Sequence, residues 1–327
     1  MKRFSNTRRL LLCAAAIVIV TNCGSPSVVQ AQSPQASATQ SEKSSTSQSE
    51  EMLRTESAAA WEAGEKAGTA GPAVLTLADQ AALKLPADYF FIPKAEGGRI
   101  MRALGNTVDE PTFFGLIVGT NPGDEWMVIV RFHKEGYIKD DDAKNWNADK
   151  LLQDLKDGNT ETNKDRVARG FEEWEVVGWM EKPAYDPATH RLVWSVLTKR
   201  KGEPDTVEKG VNYNTYALGR EGYFSLNLLT LSSQVDTDKS AAHELLAALS
   251  YDSGKRYENF NAATDRVAAY GLAALIGGVA AKKLGLIAVI GAFVLKFAKL
   301  IGLAAVGVWA GFKGLFRRNP KSAPASA

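Results

Sequence analysis

The sequence contains one carboxylate–imidazole pair with the residue types and spacing of acid–base catalysis. Asp186 and His190 flank a proline-containing turn in YDPATHRLVW, so the carboxylate could orient the imidazole as a general base. The alternative is structural: Asp186 would bind backbone amides of its own turn, and His190 would begin the next strand. Because the turn is the simpler interpretation, we assign no catalytic residue and keep a hydrolase as an alternative hypothesis.

A second group of polar residues lies in VNYNTYALGR. Asn212 and Asn214 are two positions apart, so both point to one face of a predicted strand, where asparagine is disfavoured. Either this face is exposed to water, or the two amides meet polar groups on neighbouring strands or a ligand. With Arg220 at the following turn, they could recognise a polar or anionic group.

Motifs for metals and nucleotides are absent from the sequence. There are three histidines without H-E-x-x-H spacing, and the two cysteines, Cys13 and Cys23, lie in a region predicted to be removed. The KDDDA segment lacks the alternating carboxylates and the glycine of a calcium loop. Neither a P-loop nor a G-x-S-x-G elbow occurs. We therefore predict no metal site and no cofactor.

Strand patterns dominate the middle of the chain. In EWMVIVRFH, the residues Trp126, Val128, Val130 and Phe132 alternate onto one face, as in a half-buried strand. Helical patterns interrupt the strands: one begins after Asn147 and ends at the glycine of ADKLLQDLKDG, and a second follows in ETNKDRVARG. Short connections between the later strands predict a mainly antiparallel sheet with a few helices, in an α+β fold.

Charge is distributed unevenly along the chain. Residues 32–265 contain 26 basic and all 37 acidic residues, a net charge of −11, whereas nine basic and no acidic residues follow Asp265. Nucleic acid binding needs a clustered positive face on the folded domain. The acidic domain therefore excludes nucleic acid as a partner. The basic residues of the C-terminal region lie beside apolar segments, where they could contact the anionic headgroups of a membrane.

The N-terminal residues 1–31 are predicted to be a cleavable signal peptide. A basic start, MKRFSNTRR, precedes eleven apolar residues, LLLCAAAIVIV, and VQA ends a cleavage site at Ala31. The apolar run is short for a membrane span of about 20 residues, and Asn22 before Cys23 does not suit a lipoprotein site. The chain is therefore predicted to be exported.

Two further boundaries follow from composition. Residues 32–57 are rich in Ser, Gln, Thr and Glu, which predicts a disordered linker. Residues 58–265 are predicted to form the soluble, extracytoplasmic (periplasmic) α+β domain.

The C-terminal residues 266–316 are predicted to be a hydrophobic membrane anchor, and residues 317–327 a basic tail. Lysines divide the anchor into apolar blocks of 15, 12 and 13 residues, each too short to span about 30 Å of hydrocarbon alone. Two geometries stay open: a spanning helix whose lysines pack on another segment, or a hairpin or interfacial segment with its lysines at headgroups. The basic residues predicted at the membrane interface are Lys282, Lys283, Lys296, Lys299, Lys313, Arg317 and Arg318.

Several long segments occur in an order that is similar to a known family. GYIKDDDA, VVGWMEKPAYDPATHRLVW, VNYNTYALGREG and GKRYENFNAATDRVAAYGLAALIGG resemble the motifs of the uncharacterised membrane-anchored bacterial proteins called domain of unknown function 2167. The resemblance covers roughly Ala58–Phe316. It implies a membrane-anchored exported domain, and it supplies no activity, cofactor or catalytic residue.

Three hypotheses about function follow. The first is a binding or scaffold protein of the bacterial envelope, with the lipid bilayer and envelope proteins as partners. The second is an envelope hydrolase that uses Asp186 and His190, with Arg220 orienting the substrate. The third is a protein that perturbs or senses the membrane through its lysine-striped C-terminal segment.

Overall fold

A computed structural model describes residues 39–277 of the chain, with side chains from residue 51 onward. Its four α-helices and eleven strands follow in chain order, together with two 3-10 turns. The elements are α1 (Thr39–Ala67), β1 (Thr69–Ala70), β2 (Ala73–Leu77), β3 (Ala81–Leu85), β4 (Tyr89–Pro93), α2 (Lys94–Ala103), β5 (Phe113–Gly119), β6 (Met127–His133), the 3-10 turn Asp141–Lys144, α3 (Ala148–Ala168), β7 (Trp174–Asp186), β8 (Arg191–Arg200), β9 (Gly210–Leu218), β10 (Tyr223–Leu231), α4 (Val235–Ala248), β11 (Leu249–Tyr251) and the 3-10 turn Tyr257–Asn259.

The strands form two antiparallel sheets. The large sheet has the order β1-β4-β5-β6-β10-β9-β8-β7, and the small sheet has the order β11-β3-β2. Within residues 39–277, every pair of neighbouring strands in these sheets is antiparallel. This confirms the predicted α+β fold with a mainly antiparallel sheet.

Strands β7 to β10 follow one another as hairpins, and β10 then pairs with β6. The turn between β9 and β10 needs glycine at position 222, where φ is +157° and a Cβ would lie 1.9 Å from the carbonyl oxygen of His133. Because Arg191 pairs with Ala217, the β7–β8 and β9–β10 turns lie at the same end of the sheet. We call this the turn end.

One face of the large sheet packs against α4 and the small sheet. Trp126, Val128, Val130 and Phe132 all belong to the apolar cluster on this face, which confirms the side predicted from their alternation. Leu245 of α4 is fully buried in the same cluster. Burial of this apolar surface provides the main stabilisation of the domain.

The opposite face of the large sheet, which we call the second face, has two separate covers. Helices α1 and α2 cover one side, where Trp61 and Ile129 share a buried cluster. Helix α3 and residues 266–277 cover the other side, where Leu155 and Trp194 share another buried cluster. Polar side chains lie between the two clusters.

Helix α1 corrects the prediction made for residues 32–57. Composition predicts a disordered linker there, but residues 39–57 are helical. Trp61 is buried, and the carboxylate of Glu56 accepts two hydrogen bonds from Arg99, at 2.5 and 2.8 Å. Because the domain holds the second half of α1, the helix can extend into a polar sequence that would be a poor helix alone.

Helix α3 begins where the sequence predicts and ends later. The Asn147 side chain accepts hydrogen bonds from the amides two and three residues on, both at 3.0 Å, which confirms the predicted cap. The predicted stop at Gly158 and the separate helix predicted in ETNKDRVARG are wrong, because one helix runs from Ala148 to Ala168. Tertiary contacts hold it: the Asn163 side chain donates to the carbonyl of Trp174 and accepts from its amide.

The C-terminal boundary of the domain also differs from the prediction. The domain was expected to end at residue 265, but Leu272, Leu275 and Ile276 are buried against the second face. Within residues 39–277, no helix is both long enough and apolar enough to cross a membrane. The predicted signal peptide, the remainder of the predicted anchor and the seven basic residues predicted at the membrane interface lie outside the described residues.

Candidate functional site

Asp186 serves the turn in which it lies. Its carboxylate accepts hydrogen bonds from the amide of Ala188 at 2.9 Å and from the hydroxyl of Thr189 at 2.6 Å. These two hydrogen bonds lower the pKa of Asp186 below its ordinary value, and the bond from the Thr189 hydroxyl has the larger effect. The Asp186 carboxylate is bonded within its own turn and His190 Nδ1 faces the Tyr185 hydroxyl, so the predicted dyad does not form.

His190 faces a different carboxylate. Its Nδ1 lies 3.1 Å from the hydroxyl of Tyr185, which donates a hydrogen bond to Asp140 at 2.7 Å. His190 also stacks on the ring of Tyr257, with 4.0 Å between ring centroids. Burial, and then Asp140, raise the pKa of the Tyr185 hydroxyl. Because Tyr185 gives its proton to Asp140, its oxygen can accept from His190 in the Nδ1-protonated form.

Arg220 is held by a carboxylate of the C-terminal region. Its Nε and Nη2 donate to the two carboxylate oxygens of Asp265 at 2.7 and 2.8 Å, and its Nη1 donates to the carbonyl of Gly254 at 3.2 Å. The guanidinium lowers the pKa of Asp265 well below its ordinary range. The structure therefore does not bring Arg220 to Asn212 and Asn214, and it gives this arginine a structural contact.

Asn212 and Asn214 lie instead in the middle of the second face. They are 3% and 5% exposed, so the face is not open to water as one interpretation proposed. The amide of Asn214 meets a polar group of a neighbouring strand, as the other interpretation proposed. Asn227 of β10 is paired directly with Asn214, and its Nδ2 donates to the Asn214 side-chain oxygen. Asn214 in turn donates to the backbone oxygen of Asn212 at 3.1 Å.

Arg131 completes this group, which we call the polar stripe. Its members are Arg131, Asn212, Asn214, Ser225 and Asn227. Ser225 is paired with Arg131 across β10 and β6, and Nη1 of Arg131 donates to the side-chain oxygen of Asn227 at 3.3 Å. The stripe thus runs from β6 through β10 to β9, which are the central strands of the sheet.

The electrostatics of Arg131 are unusual for an arginine in a domain with net negative charge. Its side chain is 4% exposed, and its Nε has no hydrogen-bond partner. Burial lowers the pKa of Arg131 to about 10, although the negative charge of Asp109 acts in the opposite direction, so the guanidinium stays positive at neutral pH. Among the described side chains, no carboxylate lies within ion-pair distance of it.

Sequence reasoning missed Arg131, although a signal was present. The alternation of β6 assigned Trp126 and its partners to the buried face and so placed Arg131 on the opposite side. Met127 and Ile129 share that side with Arg131, and both are fully buried. A single arginine after two apolar residues on the supposed solvent face indicates a strand buried on both sides.

Comparison with known proteins adds a family and two distant likenesses. A family model described as "Protein of unknown function (DUF2167)" matches residues 69–307 of the chain. Cyanobacterial PsbP (CyanoP) from Synechocystis sp. PCC 6803 is 9% identical, with a TM-score of 0.34 over 55% of this chain and 92% of that protein. The Ran-binding protein Mog1p of Saccharomyces cerevisiae is 11% identical, with a TM-score of 0.29 over 56% of this chain and 96% of that protein. Comparison with curated proteins gave no match.

Proposed function

Given that the chain belongs to the DUF2167 family, we propose that it is a membrane-anchored extracytoplasmic protein whose α+β domain acts as a binding or scaffold module in the bacterial envelope. The predicted signal peptide and the basic, apolar C-terminal region support export and anchoring. One structural observation carries the proposal: the first residues of the apolar region are docked on the domain.

We call residues 261–277 the strap, and it begins at the turn end of the sheet. The ion pair of Arg220 with Asp265 fixes its first part. Its backbone then pairs with Tyr137: the amide of Tyr137 donates to Arg266 at 2.8 Å, and the amide of Ala268 donates to Tyr137 at 2.9 Å. The strap is thus joined to the sheet domain by side-chain and backbone bonds.

The last part of the strap is capped and buried. Asp142 accepts hydrogen bonds from the amides of Leu272 and Ala273, both at 3.0 Å, where the helical residues 273–277 begin. Leu272 is fully buried, and Ile276 is 1% exposed. The chain therefore reaches residue 277 without a flexible linker, and an apolar segment that enters a bilayer from there would hold the domain against the membrane surface.

The arrangement of the polar residues favours binding over hydrolysis. Asp186 is bonded within its own turn and Arg220 is bonded to Asp265, so neither residue is directed towards His190 as the hydrolase hypothesis requires. The partner of His190 is the Tyr185 hydroxyl. The strap holds the domain rigidly, and the polar groups of the domain bond one another. Such a domain can present a surface of fixed shape to binding partners.

Membrane attachment is tested by fractionation of cells that express the full-length chain. We expect the mature chain to sediment with membranes, to resist extraction with alkaline carbonate and to be released by detergent. Recovery of the mature chain in the soluble fraction without detergent would overturn the proposal.

The position of the domain is tested with single cysteines, since the predicted mature chain has none. Ser253→Cys places a label in an exposed loop near the strap, and Thr206→Cys places one in the exposed β8–β9 loop at the opposite end of the sheet. With the predicted mature chain, residues 32–327, in vesicles, we expect a headgroup quencher to reduce fluorescence more at position 253 than at position 206. Equal quenching at the two positions would contradict a domain held at the membrane by its strap.

A further inference from the structure

Three different metal-binding groups meet at the turn end of the sheet. The Tyr185 hydroxyl lies 2.7 Å from Oδ2 of Asp140 and 3.1 Å from Nδ1 of His190, and these last two atoms are 3.9 Å apart. Phenol, carboxylate and imidazole groups all bind transition-metal ions in proteins. The side chains of Asp140 and His190 are 29% and 25% exposed, so an ion can reach them from solvent.

The three distances form a triangle, which defines where a shared ion would lie. The point equidistant from the three atoms is about 2.0 Å from each, the usual length of a metal–nitrogen or metal–oxygen bond. Seen from that point, the Tyr185 oxygen is at roughly 90° and 100° to the other two donors, which are about 170° apart, as at three corners of a square. A square set of nitrogen and oxygen donors is typical of Cu(II) and Ni(II), whereas Zn(II) prefers a tetrahedral set.

The backbone and a neighbouring ring hold His190 in this position. Its φ is +52°, in the left-handed region that few residues other than glycine adopt. Its imidazole stacks on the ring of Tyr257, with 4.0 Å between centroids, and the Tyr257 hydroxyl donates to the carbonyl of Ile138 at 2.7 Å. Donors that packing already holds in place lose little freedom when an ion binds.

The charges in the same segments favour a cation. The carboxylates of Asp140, Asp141 and Asp186 outnumber the two basic side chains, Lys139 and Arg191. Among the described side chains, no lysine or arginine lies within ion-pair distance of Asp140. Excess negative charge near the donors lowers the free energy of a bound cation.

A similar group on the other face of the sheet lacks this advantage. The Tyr213 hydroxyl lies 2.9 Å from Nε2 of His243 and 3.0 Å from Oε2 of Glu181. Nζ of Lys239, however, lies 3.4 Å from the other oxygen of Glu181, and its positive charge would repel an ion. This second group therefore serves as a control for the first.

The hydrogen bonds within the turn-end group do not prevent binding, because they join the donors to one another. An ion would take the place of the Tyr185 hydroxyl proton, which would pass to solvent. It would also bind the lone pair of Nδ1 of His190, whose ring proton would then lie on Nε2. One proton is released for each ion bound, as is usual when a metal binds a group that must lose its proton.

We infer that Asp140, Tyr185 and His190 form a binding site for a single Cu(II) ion, with a water molecule at the fourth corner of the square. Within residues 39–277, no three His, Cys, Asp or Glu side chains are placed to hold a metal ion, so the site depends on its tyrosine. The prediction of no metal site rests on spacings of histidine, cysteine and carboxylates, which do not consider tyrosine. This inference goes beyond the anchored scaffold role and does not depend on membrane attachment.

Copper binding is measured on the predicted mature chain, residues 32–327, purified in detergent without a histidine tag. This chain contains no cysteine, so thiols cannot bind the metal. CuCl2 is added with excess glycine, which competes with weak surface sites. We expect equilibrium dialysis to give one copper ion per chain, and the complex to show a visible absorption band from charge transfer between phenolate and Cu(II). Equal concentrations of ZnCl2 or MgCl2 should not displace the copper.

Substitutions of the three donors identify the site. Tyr185→Phe removes only one oxygen, so we expect it to fold, to lose the band and to bind copper about tenfold or more weakly. His190→Gln and Asp140→Asn should weaken binding to a similar extent, and they decide the question if Tyr185→Phe does not fold. His243→Gln is the matched control, and it should keep both the stoichiometry and the band.

Several results would overturn the inference. The wild-type chain could bind no copper, or it could bind copper without the absorption band. The band could survive Tyr185→Phe, or binding could survive His190→Gln and Asp140→Asn. Loss of binding in His243→Gln would assign the copper to the other group, and displacement of copper by zinc would contradict the square arrangement of donors.

Discussion

Leu272 is the residue through which the strap can be loosened most selectively. It is fully buried in the apolar cluster of the second face and follows Gly271, which packs closely on Asp142. The substitution Leu272→Ala removes buried methyl groups and keeps the capping bonds of Asp142, because those bonds use the backbone amides. We therefore expect the strap to open locally while the sheet stays folded.

The size of this effect follows from the burial of Leu272. Replacing a fully buried leucine by alanine costs about 2–5 kcal/mol, depending on how far the surroundings close the cavity. If that free energy comes from docking of the strap, the undocked population rises by roughly 30-fold to several thousand-fold, since about 1.4 kcal/mol is a factor of ten. The strap lies at the end of the described chain, so its opening need not expose the whole core.

Hydrogen exchange of single amides measures this opening. The amides of Ala268 and Leu272, which bond to Tyr137 and Asp142, should exchange faster in Leu272→Ala, whereas the central strands should change little. Leu246→Ala is the matched control, because this leucine of α4 is buried on the other face and should affect the whole domain. Faster exchange that is equal in the strap and the sheet, or no change in the strap, would refute the independent docking of the strap.

Three further expectations concern single groups. Arg220 lowers the pKa of Asp265 in the folded state, so this pair stabilises the fold above the unfolded pKa of about 4, and the stabilisation is lost as pH falls towards the lower folded pKa. In Asp265→Asn, the unfolding temperature should therefore fall less below pH 4 than it does in the wild-type chain. Asn163→Ala leaves the buried amide of Trp174 unpaired and should cost about 1–3 kcal/mol in urea unfolding, with the exposed Asn145→Ala as control. Gly222→Ala forces a Cβ onto the carbonyl of His133, so the free energy of unfolding should fall by more than about 1 kcal/mol. A smaller decrease in urea unfolding would contradict the turn geometry.

Part of the candidate site could be predicted from the sequence. The two-residue spacing of Asn212 and Asn214 gave their common face, because side chains alternate along any strand. Their partner could not be predicted, since Arg131 and Asn227 are 96 positions apart and meet only when β10 pairs with β6. Arg220 is closer in sequence to the asparagines, but the turn directs it towards Asp265.

Sequence by itself determined the features that depend on neighbours along the chain. Alternation in β6 indicated which residues face α4, and Asn147 marked the start of α3, because a capping side chain bonds amides two or three residues away. The number and spacing of such strands were sufficient for the α+β class.

Tertiary structure alone decided which surfaces are buried. An apolar residue such as Leu272 is removed from water equally well in a bilayer or against a protein face. The sequence around it does not distinguish the two cases. Asp142 and Tyr137, which are more than a hundred positions away, hold it on the domain. Arg131 is buried because separate layers of the fold close over its strand; Met127 and Ile129 in β6 indicate that this side is buried, but they do not indicate which layers cover it.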